Sequence, residues 1–331
     1  MVKTVSVKNF KSVADLSFEA RRINLFIGEP NAGKSNILEA LSLFSILNIG
    51  NIKSVVRYDR ISNLFFDNDN RNDIEIEADS DKLQIKSDKG AIVITLINGI
   101  DVSTVSANIS LDGTLVRDKL RMRDALIVEH FERYKPYHFK VHESNGNEHA
   151  SYYLDYPFGN NLADVLIYDA QLREQVSSLL NNKGYKLNLD SSRNEVNMVK
   201  EENGVLYTYP YRLFSDTLQR IIFYMAAIQT NEESILFFEE PEANTFPYYT
   251  KQLAEQIALD TANNQFFIAT HNPYLLSSVV EKTPVTDMAV SIVYMENYQT
   301  KLYQLTDEQL SEVLDLGPDI FYNLERFLPE A

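Results

Sequence analysis

The octet Gly28-Glu29-Pro30-Asn31-Ala32-Gly33-Lys34-Ser35 has the residue types and spacing of a phosphate-cradling loop. Gly28 and Gly33 let the backbone curl until N–H groups, those of Asn31 and Ala32 among them, face phosphate oxygens. A helix beginning at the end of the octet and running through Asn36 adds its positive N-terminal end. Lys34 would reach the β- and γ-phosphates, and the Ser35 hydroxyl would ligate Mg²⁺. Chance places such an octet in roughly one per cent of chains of this length. The apolar strand before it and the amphipathic helix after it lower that figure further.

Two more strand ends carry chemistry. Ser234-Ile235-Leu236-Phe237-Phe238 is a short apolar run that ends in Glu239-Glu240-Pro241-Glu242. Acids at the C-terminal end of a buried strand lie where α/β sheets bind ligands. Glu239 can hold Mg²⁺, and Glu240 can polarise the water that attacks a γ-phosphate. Alone, Glu-Glu-Pro-Glu is ordinary loop composition; the phosphate loop elsewhere in the chain gives it meaning. Gln265 to Ala269 is a second buried strand, and Thr270-His271-Asn272-Pro273 follows it. His271 could hydrogen-bond the γ-phosphate or the attacking water.

The elements that must position these groups follow from hydrophobic period. Strands are expected around Val5–Val7, Leu16–Phe18 and Arg22–Ile27, with a helix over 35–47. Residues 74–109 alternate with period two and carry turn residues at Asp88-Lys89-Gly90 and Asn98-Gly99, the pattern of an antiparallel meander. Residues 110–160 have no clear period. Helices are expected over 161–181, 216–229, 248–259 and 306–314 and from 274, with strands at 289–295 and 301–305. This is an α/β core with an antiparallel lobe. The core is drawn from 1–50 and 210–331, the β-rich lobe from about 51–155, and a helical segment from about 156–209.

Composition narrows the partners. The 331 residues include 47 acidic and 31 basic side chains, for a net charge of −16. A surface this acidic repels nucleic-acid backbones on average, and Arg117–Arg123 is only a short basic stretch. There are no cysteines, so no disulfide, thiolate metal site or Cys nucleophile exists. No apolar run is long enough to span a bilayer, and residues 1–5 lack a signal-peptide core. The expected compartment is the cytoplasm.

Taken together, these residues resemble the ABC-type ATPase heads of the SMC, RecF and OLD group, most nearly its small stand-alone members, many of them from bacterial anti-phage systems. The resemblance rests on Asn9-Phe10-Lys11-Ser12, the Walker A octet, Tyr156-Pro157-Phe158-Gly159-Asn160-Asn161-Leu162, Glu239–Glu242, Thr270–Pro273 and Asp319–Glu325. It implies a P-loop NTPase of ABC type with an antiparallel β-lobe and a helical lobe, using ATP and Mg²⁺. It implies a homodimer closed around ATP, in which Ser215 and its helix reach the partner's γ-phosphate and Asn244 meets the partner. Lys11 and Ser12 would lie near the base and ribose. Thr217 stands where the group has glycine, and Glu239 where it has aspartate. No glutamine sits in a persuasive Q-loop context, Gln84 and Gln171 included. The implied role is a switch driving a separately encoded effector; an assembly scaffold with little turnover and a RecF-like repair clamp are the alternatives. Too few residues follow the His271 helix for the nuclease domain of OLD proteins. His130, His138, His142 and His149 crowd one stretch but show no third ligand at convincing spacing, so they are expected on the lobe surface.

Overall fold

The computed structural model describes residues 1–88, 91–99, 103–110, 112–116, 122–141 and 152–328. The chain opens with the hairpin β1 (Thr4–Phe10) and β2 (Val13–Glu19), then β3 (Ile23–Ile27) and α1 (Lys34–Ser42), and a 3₁₀ turn leads to α2 (Ile46–Ile49). The meander follows as β4 (Ile74–Ala78), β5 (Asp81–Asp88), β6 (Ala91–Asn98), β7 (Ser103–Ile109) and the short β8 (Leu115–Val116). Next come α3 (Met122–Phe131), β9 (Tyr134–Tyr137), α4 (Leu162–Tyr168), α5 (Ala170–Asn181), β10 (Lys186–Asp190), β11 (Glu195–Glu202) and β12 (Val205–Pro210). The chain ends with α6 (Asp216–Gln229), β13 (Ile235–Glu239), α7 (Pro247–Ala258), β14 (Gln265–Ala269), α8 (Pro273–Lys282), β15 (Met288–Glu296), β16 (Gln299–Gln304) and α9 (Asp307–Leu316).

The central sheet has the order β16-β15-β3-β14-β13-β9. Its strands are parallel except β16, which pairs antiparallel with β15 at one edge. Every residue of β3 and β14 is buried, as expected of a parallel sheet covered on both faces. One face packs against α4 to α9, with Phe223, Tyr224, Leu253 and Leu276 among its core. The other packs against α1 and the seven-stranded antiparallel sheet β2-β1-β4-β5-β6-β7-β8, through Phe26, Phe237, Phe267, Ile37 and Phe44. The parallel order places the C-terminal ends of β3, β13 and β14 side by side, and the three chemistry-bearing segments leave the sheet there.

The segment limits differ from the sequence expectation in three ways. The β-rich stretch is not a separate lobe, because β4 pairs with β1 from the N-terminal hairpin. Within residues 110–160, β9 belongs to the central sheet. The helical stretch contains the antiparallel sheet β10-β11-β12. The helix expected over 161–181 is two, because the Asp169 carboxylate accepts the Leu172 N–H at 2.9 Å and starts a new helix.

Candidate active site

The loop between β3 and α1 is shaped by close packing. Gly28 has φ +147°, and a Cβ there would lie 2.1 Å from the Val293 carbonyl oxygen. Gly33, at φ +101°, would place a Cβ 2.0 Å from Thr300 Oγ1. Only glycine fits at both positions. Gly33 also sits at the N-cap of α1 with no side chain over the helix end, which leaves the first N–H groups free for an anion.

The loop is braced from behind. Thr300 Oγ1 donates to the Ala32 carbonyl at 3.1 Å and lies 2.6 Å from Ser12 Oγ. Asn36 Nδ2 donates to Ser12 Oγ at 2.7 Å. Asn36 and Ser12 thus hold the loop in place. Lys34 is 5% exposed, and its ammonium donates to the Gly28 and Glu29 carbonyls at 2.9 and 2.7 Å. Burial pushes its pKa down to about 8, against the fields of Glu240, Glu239 and Glu29.

The acids meet this loop from β13. The Ser35 hydroxyl donates to Glu239 Oε1. Arg57 Nη2 donates to the same oxygen at 2.9 Å, and Arg57 Nε to Glu39 Oε1 at 2.8 Å. Glu39, buried on α1, also pairs with Lys11. Glu240 has a left-handed backbone, φ +44°, and its N–H is tied to the Ala269 carbonyl at 2.9 Å. That turn sends its carboxylate back over the sheet end, where Oε1 lies 3.1 Å from His271 Nε2. Burial, then the Lys34 charge, lowers the His271 pKa, against the pull of Glu240. Behind them, the Thr270 hydroxyl donates to buried Glu242, whose pKa burial raises to about 7.

Residues 23–277 match the family described as "AAA domain, putative AbiEii toxin, Type IV TA system". The chain belongs to this AAA-domain family. An "ATP/GTP phosphatase" of Helicobacter pylori (strain ATCC 700392 / 26695) is 22% identical over 360 residues, covering 93% of each chain. A solved SmcHead bound to the C-winged helix domain of ScpA superposes with a TM-score of 0.54 at 14% identity, over 94% of this chain and 99% of that one. An Smc head domain with an extended coiled coil, bound to the C-terminal domain of ScpA derived from Pyrococcus furiosus, gives 0.53 at 13% identity, over 95% and 98%. The fold of this AAA-domain protein is that of an ABC-type head, and the chain is an ATPase of that type.

In this ATPase, Gly28, Lys34, Ser35, Glu239, Glu240 and His271 form one cluster. Asn31, at φ +63°, and Ala32 shape the loop beside it. Lys11 and Ser12 border a cleft that also includes Phe66, Asp67 and Tyr298, although Lys11 is ion-paired to Glu39. Ser215 caps α6 by accepting the Leu218 N–H at 3.3 Å, and Thr217 Oγ1 donates to the Asn244 carbonyl at 2.9 Å. Ser215 makes no hydrogen bond to the cluster among the described residues.

The expectation of surface histidines needs correction. His130 Nε2 lies 2.9 Å from the buried Asp81 carboxylate. His138 follows β9, lines the cleft beside Glu239 and Glu240, and has its pKa lowered chiefly by burial. His142 and His149 lie outside the described residues, as does part of the Arg117–Arg123 stretch. Sequence reasoning also missed Arg57, Thr300 and Glu39. Arg57 stands in an aperiodic segment, Thr300 acts from a strand 265 or more residues away, and Glu39 reads as a solvated helix position.

A divalent ion fits the donor set. The Ser35 hydroxyl and Glu239 carboxylate already touch, and both are oxygen donors suited to Mg²⁺.

Proposed function

We propose that this ATPase is a nucleotide-driven switch that hydrolyses ATP at the Lys34–Glu239–Glu240–His271 cluster. The observation that carries the reading is the pair of contacts at the end of β13: Ser35 on Glu239, and His271 on Glu240 at 3.1 Å, with Lys34 between them electrostatically. The loop N–H groups and the α1 N-terminus bind the β- and γ-phosphates. Lys34 exchanges its two carbonyl partners for phosphate oxygens and balances the charge that builds on them. Ser35 and Glu239 would hold Mg²⁺, which when bound would neutralise phosphate charge. Glu240 accepts a proton from the attacking water as its oxygen bonds to the γ-phosphorus. The bond from phosphorus to the β,γ-bridging oxygen breaks, and ADP and phosphate leave. His271 keeps the Glu240 carboxylate aimed at that water. The name of the Helicobacter relative, which specifies both ATP and GTP, supports purine nucleoside triphosphates as the substrate class.

The reading includes a dimer. The Ser215-capped N-terminal end of α6, with the Thr217–Asn244 tie beside it, is the surface that would close over the nucleotide of a second copy. The motion would drive a separately encoded effector, with anti-phage defence as its setting. Two measurements test this: phosphate release, and mass by light scattering with and without ATP. Wild type should release phosphate and gain a dimer with ATP. Lys34→Ala should do neither, with nucleotide affinity reduced by about 10²-fold. Equal turnover by Lys34→Ala would refute the site; turnover without any dimer would refute the closure.

A further inference from the structure

Among the described residues, His138 Nε2 is buried and has no hydrogen-bond partner. Its position is set by register. β9 runs parallel beside β13 with Tyr137 opposite Phe238; His138 and Glu239 are the residues that follow, and both line one cleft. Side chains alternate across a strand. Tyr137 and Phe238 pack edge to face in the helix-side core, which turns Glu239 to the opposite face, and His138 lines the cleft beside it. Ser35 and Arg57 meet Glu239 on that face. The two side chains share that cleft, and the Glu239 charge acts on the imidazole. A bond from the His138 N–H to the Pro157 carbonyl at 2.8 Å fixes the strand end.

We propose that His138 supplies a nitrogen donor to the metal that accompanies the nucleotide, beside Ser35 and Glu239, and gives the site a preference for Mn²⁺ over Mg²⁺. The proposal rests on the nucleotide-site reading above. Hydroxyl and carboxylate oxygens suit Mg²⁺, whereas an added imidazole favours later first-row ions. Among the described residues no three His, Asp or Glu side chains converge as a metal site on their own. Phosphate oxygens must therefore complete the coordination, and the ion binds with the nucleotide rather than before it. Arg57, which shares Glu239 in the structure and is 68% exposed, can swing into solvent as the ion enters.

The test is electron spin echo envelope modulation of the full chain loaded with Mn²⁺ and ATPγS. A ¹⁴N coupling is expected in the wild type, replaced by a ¹⁵N coupling in protein labelled with ¹⁵N-histidine. It should persist in His271→Gln and vanish in His138→Gln. The Mn²⁺ affinity of the nucleotide-bound protein should fall about tenfold in His138→Gln, with little change for Mg²⁺. A wild type without nitrogen coupling, or a coupling that survives in His138→Gln, overturns the assignment. The labelled wild type decides the matter without any variant, since a coupling that stays ¹⁴N excludes histidine. Failure of wild type to retain Mn²⁺–ATPγS more tightly than Lys34→Ala overturns the underlying site instead.

Discussion

At the scale of single residues, the site is a buried ammonium, Lys34, balanced against partly exposed carboxylates at the end of β13. The Glu240 and Glu239 charges oppose the effect of burial on Lys34, and the Lys34 charge acts in turn on His271. Glu242 is the exception worth a separate measurement. It is 4% exposed, one of its oxygens has no hydrogen-bond partner among the described residues, and burial raises its pKa from 4.5 to about 7. The folded protein therefore binds this proton more tightly than the unfolded chain does. Its stabilising contribution is full below pH 4.5, declines as pH rises through 7, and is gone above it. The whole effect is on the order of 3 kcal/mol. Glu242→Gln keeps an acceptor for Thr270 and removes the titration. Melting temperatures between pH 5 and 8 should slope downward in the wild type and lie flatter in the variant. Parallel curves would show that Glu242 does not titrate in this range.

At the scale of elements, what was legible in the sequence was what local pattern controls. The fully apolar strands β3, β13 and β14, the meander from β4 to β7 and the helices α6 to α9 follow from period, burial and turn residues. β9 was hidden because it is four residues long and contains Pro136, which argues against a central strand. It lies at the sheet edge, where proline is tolerated, and its pairing partner is about a hundred residues away. The strands β10 to β12 were masked by the helical stripe before them. Long-range polar ties were equally silent. Asp81, 1% exposed, receives Arg133 Nη2 at 2.6 Å, the Tyr134 hydroxyl at 2.8 Å and a His130 contact, joining β5 to the α3–β9 segment. Asp81→Ala strands those partners and should cost about 3 kcal/mol in urea unfolding. Nucleotide affinity should persist, because β9 stays paired to β13. A cost below about 0.5 kcal/mol would show the tie to be replaceable by water.

At the scale of the whole molecule, two faces of one parallel sheet do different work. The antiparallel sheet and α1 support the phosphate loop and Ser35 on one side. The helices on the other side include α6, whose N-terminus is capped by Ser215. The Walker A octet and the strand-end acids were readable because each is contiguous in sequence. Arg57, Thr300 and His138 were not, because only the fold brings them to the site. The net charge of −16 sets the expected partner class against nucleic-acid backbones. The central claim is that the loop at 28–35 and the carboxylates ending β13 act on one triphosphate. Its most direct test is single-turnover ATP hydrolysis by Glu240→Gln, with nucleotide binding measured on the same sample. The account predicts ATP binding close to wild type and a cleavage rate lower by about 10²-fold or more. Cleavage at the wild-type rate with ATP fully bound would contradict it.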